Sequence, residues 1–125
     1  MINSRKAFIV GLKSTKLSVV EISFLKKYKP WGIILFSRNI KSLTQSKKLT
    51  NQIRKIFKDA KYPIMIDQEG GRVNRLKEII SLDNLTSKYF GDLFVANQNK
   101  FHIIFKLFID KISYLLNQIG ANINT

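Results

Sequence analysis

Short apolar runs alternate along this chain with longer segments in which apolar residues recur every three or four positions. Ala7-Phe8-Ile9-Val10 carries no polar residue and ends at Gly11, the pattern of a strand buried on both faces. Ser18-Val19-Val20-Glu21 is a Ser-x-x-Glu capping box, which opens a helix by satisfying free N–H groups. Val20, Ile22, Phe24 and Leu25 follow a helical face loosely, and Pro30 ends the segment. Gly32-Ile33-Ile34-Leu35-Phe36 predicts a second buried strand. Ser42-Leu43-Thr44-Gln45 is a second capping box, and the helix after it sets Leu49, Ile53 and Ile56-Phe57 on one face. Pro63-Ile64-Met65-Ile66 predicts a third strand, with proline at its tolerated first position.

Strand, helix, strand, helix, strand is the order of parallel βαβ units and predicts an α/β fold. Asp67 to Asn99 is less regular, contains Gly91, and predicts a short helical turn or two. From Phe101, the residues Ile104, Phe105, Phe108, Ile112, Leu115, Leu116 and Ile119 make a helical face that Gly120 caps. Ala121 to Thr125 then reads as the start of a fourth strand. Parallel strands of this kind are covered on both faces, and three or four of them leave apolar surface open. A (β/α)8 barrel takes ~250 residues, about twice what is present.

Composition narrows the class. The 125 residues suit one domain, and 45% hydrophobic with 24% charged residues is globular rather than disordered. There is no cysteine, so no disulfide framework, thiolate metal site or thiol nucleophile. Met1-Ile2-Asn3-Ser4-Arg5-Lys6 leads into the apolar run Ala7–Leu12, too short for a signal-peptide core. Lys106, Asp110 and Lys111 interrupt Phe101–Ile119, which argues against a membrane span. A cytoplasmic location without membrane contact is the expectation. The net charge of +14 raises nucleic-acid binding as a class. The lysines are scattered and form no dense block, and abundant Ile, Asn, Phe and Lys are what A/T-rich codons produce. No nucleic-acid partner is expected.

Candidate chemistry is concentrated in Asp67-Gln68-Glu69-Gly70-Gly71-Arg72-Val73-Asn74-Arg75, directly after the third strand. Ligands of α/β proteins bind beyond the carboxyl ends of the strands. Carboxylates accept from sugar hydroxyls, arginine donates in a fixed fork, and paired glycines permit close backbone approach. Two other readings stay open at this point. Asp67 or Glu69 could pair with Arg72 merely to hold a turn shut. Asp67 and Glu69 could also form a glycosidase-like carboxylate pair, although side chains two apart at a strand end point oppositely.

Residues 61 to 75, Lys-Tyr-Pro-Ile-Met-Ile-Asp-Gln-Glu-Gly-Gly-Arg-Val-Asn-Arg, resemble the hallmark of the family-3 glycoside hydrolases of the bacterial β-N-acetylhexosaminidase (β-N-acetylglucosaminidase) type. Trp31 to Asn39 is similar to that family's second strand and loop, Ser46 to Lys55 to the following helix, and the strand ending at Gly11 to the first. The similarity covers residues 6 to 80 and is positional beyond them. The resemblance implies the N-terminal portion of a (β/α)8 TIM barrel, about three βα units plus the start of a fourth strand. Residues 1–125 would then be an incomplete N-terminal part of that barrel domain. It implies removal of β-linked N-acetylglucosamine, typically from cell-wall muropeptides recycled in the cytoplasm. Retention through a covalent aspartate intermediate, with a loop histidine as acid/base and no metal or organic cofactor, is the implied mechanism. Asp67 matches the aspartate that holds sugar hydroxyls, and Arg75 the arginine of the same pocket. Glu69, Gly70, Gly71 and Arg72 match positions expected to shape the loop. Arg38 and Asn39 match a supporting segment near the barrel mouth.

The family's Lys-His-x-Pro-Gly-His-Gly loop is absent from these 125 residues, as is the later strand-end nucleophile. The single histidine, His102, falls in the last helix and matches neither position. No catalytic residue is assigned, and the chain alone is expected to be inactive. The alternative expectation is a non-catalytic sugar-binding half-barrel that self-associates through exposed edges. Poor solubility is expected as well, on the ground that Phe105, Phe108 and Leu115 would lack neighbours.

Overall fold

The computed structural model describes residues 5–125. Met1-Ile2-Asn3-Ser4, weighed above as part of a leader, lies outside the described residues. The elements run β1 (Lys6–Gly11), α1 (Val19–Tyr28), β2 (Pro30–Leu35), α2 (Leu43–Phe57), β3 (Ile64–Ile66), α3 (Ser87–Ala96), α4 (Gln98–Ile119) and β4 (Ile123–Asn124), with one 3-10 turn at Ser37–Asn39. The strands form one parallel sheet in the order β1-β2-β3-β4. Each crossover is helical, as parallel pairing requires.

Local sequence sets the helix starts. The Ser18 hydroxyl accepts from Glu21 N at 3.1 Å while Ser18 N donates to Glu21 Oε2 at 2.8 Å, completing the expected box. At α2 only half of the expected box forms. Ser42 Oγ accepts from Gln45 N at 3.1 Å, but Gln45 Oε1 accepts from Lys41 N at 2.8 Å rather than from the Ser42 backbone. Gln45 Nε2 instead donates to the carbonyls of Thr15 and Asn39, at 2.8 and 3.1 Å. An amide donates to these two carbonyls where a glutamate of the same length could not, so this side chain ties the β1–α1 and β2–α2 connections together.

The core lies between the sheet and the helices. Alternation sends Ile33, Leu35, Ile64 and Ile66 to the covered face, where all four are fully buried. They join Leu25 of α1, Leu49, Ile53 and Phe57 of α2, and Ile112, Leu115, Leu116 and Ile119 of α4. The opposite row follows the register Gly11, Ile34, Met65, Ile123. Ile34, Met65 and Ile123 are only half-buried there, so the sheet is apolar on a face that no helix covers.

Three expectations are corrected. β1 is not buried on both faces: it has one strand neighbour, and Ile9 is 45% exposed. The irregular stretch contains a ten-residue helix, α3, capped by Thr86 Oγ1 accepting from Tyr89 N at 3.0 Å. Finally, Leu115 sits in the core at 3% exposure, and Phe105 and Phe108 are covered by Phe90 of α3, with ring centroids 5.0 Å away in both cases. The missing neighbours are supplied by α3, which is longer than the helical turn or two expected in this stretch. No described helix is long and apolar enough to cross a membrane.

Candidate functional site

The Asp67–Arg75 segment leaves the carboxyl end of β3 and folds back on itself. Gly70 and Val73 exchange backbone hydrogen bonds, both at 3.1 Å, and Glu69 N also donates to Val73 O at 3.2 Å. Gly71 has φ +54° and a Cβ there would meet Thr86 Cγ2 at 3.0 Å, so this position requires glycine on both counts. Gly70 has φ +98° and lies against Leu85 O and the Phe108 ring. The doubled glycine thus presses the loop onto the start of α3 and the middle of α4.

Inside the loop Gln68 is the organising side chain. It is buried, and its Oε1 accepts from Arg75 N at 2.8 Å and Leu76 N at 3.2 Å. Its Nε2 donates to Asn74 Oδ1 at 3.1 Å. Asn74, also buried, donates on to Ile80 O at 2.7 Å. The Gln68 backbone is bonded in both directions by Asn124 of β4, at 2.9 and 3.1 Å. The loop is therefore held from within and from the neighbouring strand.

That frame positions one ion pair. Arg75 Nε and Nη2 donate to the two oxygens of Asp67 at 2.6 and 2.9 Å, a two-pronged pairing. Both side chains stay partly accessible, at 27% for Arg75 and 29% for Asp67. The Arg75 hydrogen bonds hold the Asp67 carboxyl below the usual carboxylate range, and Asp67 raises the Arg75 guanidinium above its ordinary value. The Phe36 ring lies beneath two guanidiniums, Arg75 at 5.3 Å and Arg38 at 4.8 Å. Arg38 Nε also donates to Leu12 O at 2.8 Å, while Asn39 Nδ2 donates to Leu12 O and Ser14 O at 3.1 and 2.9 Å. Arg38 and Asn39 thus brace the ends of β1 and β2 beside the pair.

Of the two open alternatives, the turn-closing pair with Arg72 does not form. Asp67 is paired with Arg75, and the exposed side chains of Glu69 and Arg72 make no hydrogen bond or ion pair among the described residues. The Glu69 side chain lines a cleft between α3 and α4, whereas Asp67 faces Arg75. His102 is exposed on α4 with its ring against Phe101 at 5.3 Å. Among the described residues no three His, Cys, Asp or Glu side chains are grouped to hold a metal ion. Gln68, Asn74, Phe36 and Asn124 were not singled out from the sequence. An amide two places after a strand gives no signal until its partners are known.

A parallel α/β sheet with a carboxylate–guanidinium pair at a strand end agrees with the resemblance: over part of its length the chain is similar to the glycoside hydrolase family 3 β-N-acetylglucosaminidases. It is 41% identical over 70 residues to a β-hexosaminidase of Alkalilimnicola ehrlichii, covering 56% of this chain and 20% of that one. It is 38% identical over 92 residues to a β-hexosaminidase of Hydrogenovibrio crunogenus, covering 74% and 25%. Among solved structures it matches NagZ from Neisseria gonorrhoeae in complex with N-trifluoroacetyl-D-glucosamine, with TM-score 0.52 and 33% identity over 57% of this chain and 21% of that one. The zinc-ion complex of that NagZ gives TM-score 0.61 and 28% identity, covering 74% and 27%. The chain thus spans about a fifth to a quarter of the curated relatives it matches. No family model matches it.

Proposed function

We infer that this chain forms the first part of a (β/α)8 barrel of the family-3 β-N-acetylhexosaminidase type and that its strand-end site binds a saccharide containing N-acetylglucosamine. The observation that carries this reading is the part-exposed Asp67–Arg75 pair at the carboxyl end of β3. Asp67 is the group that accepts from sugar hydroxyls. Its ionised form, favoured by Arg75, is the acceptor that binding needs. Arg75 fixes the carboxylate's direction and has donors left for a ligand oxygen. Gly70 and Gly71 let the loop lie close to α3 and α4, and both members of the pair stay part-exposed. Recycling of cell-wall fragments in the cytoplasm is the setting this reading suggests.

Binding is not turnover. Hydrolysis needs an acid/base and a nucleophile at the anomeric carbon. The residues proposed here bind hydroxyls and move no proton. The chain alone is therefore inactive toward a chromogenic β-N-acetylglucosaminide, with no release above the protein-free rate. Release that disappears in Asp67→Ala would contradict this.

A second reading is favoured by one observation, the apolar row Ile34, Met65 and Ile123 on the uncovered sheet face. Covering such a row by a second copy would give a sugar-binding half-barrel that self-associates. Sedimentation as a monomer at concentrations up to hundreds of micromolar, an order at which weak dimers form, would remove it.

A further inference from the structure

A cleft of about 500 Å³ runs along α3 and α4 with Glu69 in its lining. Phe90, Phe94, Phe101, Phe105 and Phe108 are five of its eleven lining residues. These rings pack on one another, with Phe94 to Phe101 at 5.2 Å and Phe101 to Phe105 at 5.1 Å, yet Phe94 remains 42% exposed. The volume suits a small molecule, and the lining is the apolar wall with few polar groups that such sites have.

Gly91 says that the opening is kept. It lies inside α3, where glycine is unfavourable, and a Cβ built there meets nothing within 4 Å. Neither backbone conformation nor close packing calls for glycine at that position. Its effect is to leave the cleft open along the α3 side.

The charge on the wall says what enters. Glu69 is the one ionisable side chain among the lining residues; it is exposed and makes no ion pair among the described residues, with Arg75 acting on it only at longer range. Nearby lysines are already matched on their own helices, Lys88 with Asp92 and Lys106 with Asp110. Aromatic faces carry negative potential and attract cations. We propose that the α3–α4 cleft binds a small cationic amphiphile, with the phenylalanines holding its apolar body and Glu69 its ammonium group. The cleft adjoins the Asp67–Arg75 loop through Gln68 and Glu69, but the proposal does not depend on the saccharide reading.

The test is an NMR titration of the full chain at about 0.15 M salt, where long-range repulsion is screened. Three probes of one shape are compared: phenethylammonium, neutral 2-phenylethanol and anionic phenylacetate. Saturable shifts on α3, α4 and Glu69 are expected, with the cation binding about two- to fivefold tighter than the alcohol and the anion weakest. Glu69→Gln erases the preference for the cation. Gly91→Leu weakens the cation and the alcohol by roughly tenfold by filling the cleft, without lowering the melting temperature. Absence of saturable shifts, a preference that survives Glu69→Gln, or affinity unchanged in Gly91→Leu would each overturn the proposal.

Discussion

Replacing Gln68 by methionine removes the hub of the strand-end loop while keeping its length and nearly its volume. The amide's three hydrogen bonds are lost: two accepted, from Arg75 N and Leu76 N, and one donated to Asn74 Oδ1. Leu76 N keeps Asn74 Oδ1 at 3.0 Å, but Arg75 N loses its recorded partner. A buried N–H left unpaired costs about 1–3 kcal/mol, and each further net hydrogen bond about 1. The expected loss is therefore about 2–4 kcal/mol. For a chain of this size 1 kcal/mol moves the melting temperature by roughly 4 °C, so the transition falls by about 8–16 °C. Thermal unfolding followed by circular dichroism at neutral pH measures it. Asp67→Asn is the comparison, because a part-exposed ion pair contributes only about 1 kcal/mol or less. A Gln68→Met melting temperature within ~2 °C of the parent, or a larger drop in Asp67→Asn, would refute the idea that the amide, and not the ion pair, holds the loop.

Gly71→Ala forces a side chain into left-handed backbone against Thr86 and is expected to cost about 1–2 kcal/mol in the same melt. Tyr62 is fully buried, stacked on Phe57 at 3.9 Å, and its hydroxyl donates to Pro30 O at 2.8 Å. Tyr62→Phe should lower stability by about 1 kcal/mol through that carbonyl. Burial pushes the Tyr62 hydroxyl up to about 12 from 10.0, so its protonated form belongs to the fold. The associated stability is present below pH 10.0 and fades as pH rises toward about 12, so the gap between alkaline melts of the parent and Tyr62→Phe should close as pH rises between those values. Asp67 behaves oppositely. Its lowered value, set first by the Arg75 hydrogen bonds, means that saccharide binding persists as pH falls through the ordinary carboxylate range and is lost only below it, a trend that titrations at stepped pH would reveal.

Legibility in the sequence followed the physics of each element. The α2 stripe of Leu49, Ile53 and Phe57 and the α4 stripe ending at Ile119 were readable because each buries one face against one partner. Ser18 and Glu21 were readable because a capping box is local. α3 was expected only as a helical turn or two because Gly91 breaks its apolar pattern and its phenylalanines face a cleft rather than the main core. β1 was misread because a continuous apolar run does not disclose that a strand lies at the edge. At the site, Asp67 and Arg75 came from the family motif, and the eight-residue spacing alone does not announce their pairing. Gln68, Asn74 and Asn124 were silent because amides acquire meaning only through partners, in the last case 56 residues away in the chain.

The central claim is that Asp67, aimed by Arg75, binds a saccharide. A titration of the isotope-labelled chain with N-acetylglucosamine, beside Asp67→Ala, tests it most directly. The account predicts saturable amide shifts from Asp67 to Leu76 that vanish in Asp67→Ala while its spectrum otherwise stays folded. Shifts that survive in Asp67→Ala, or none in the parent chain, would contradict it.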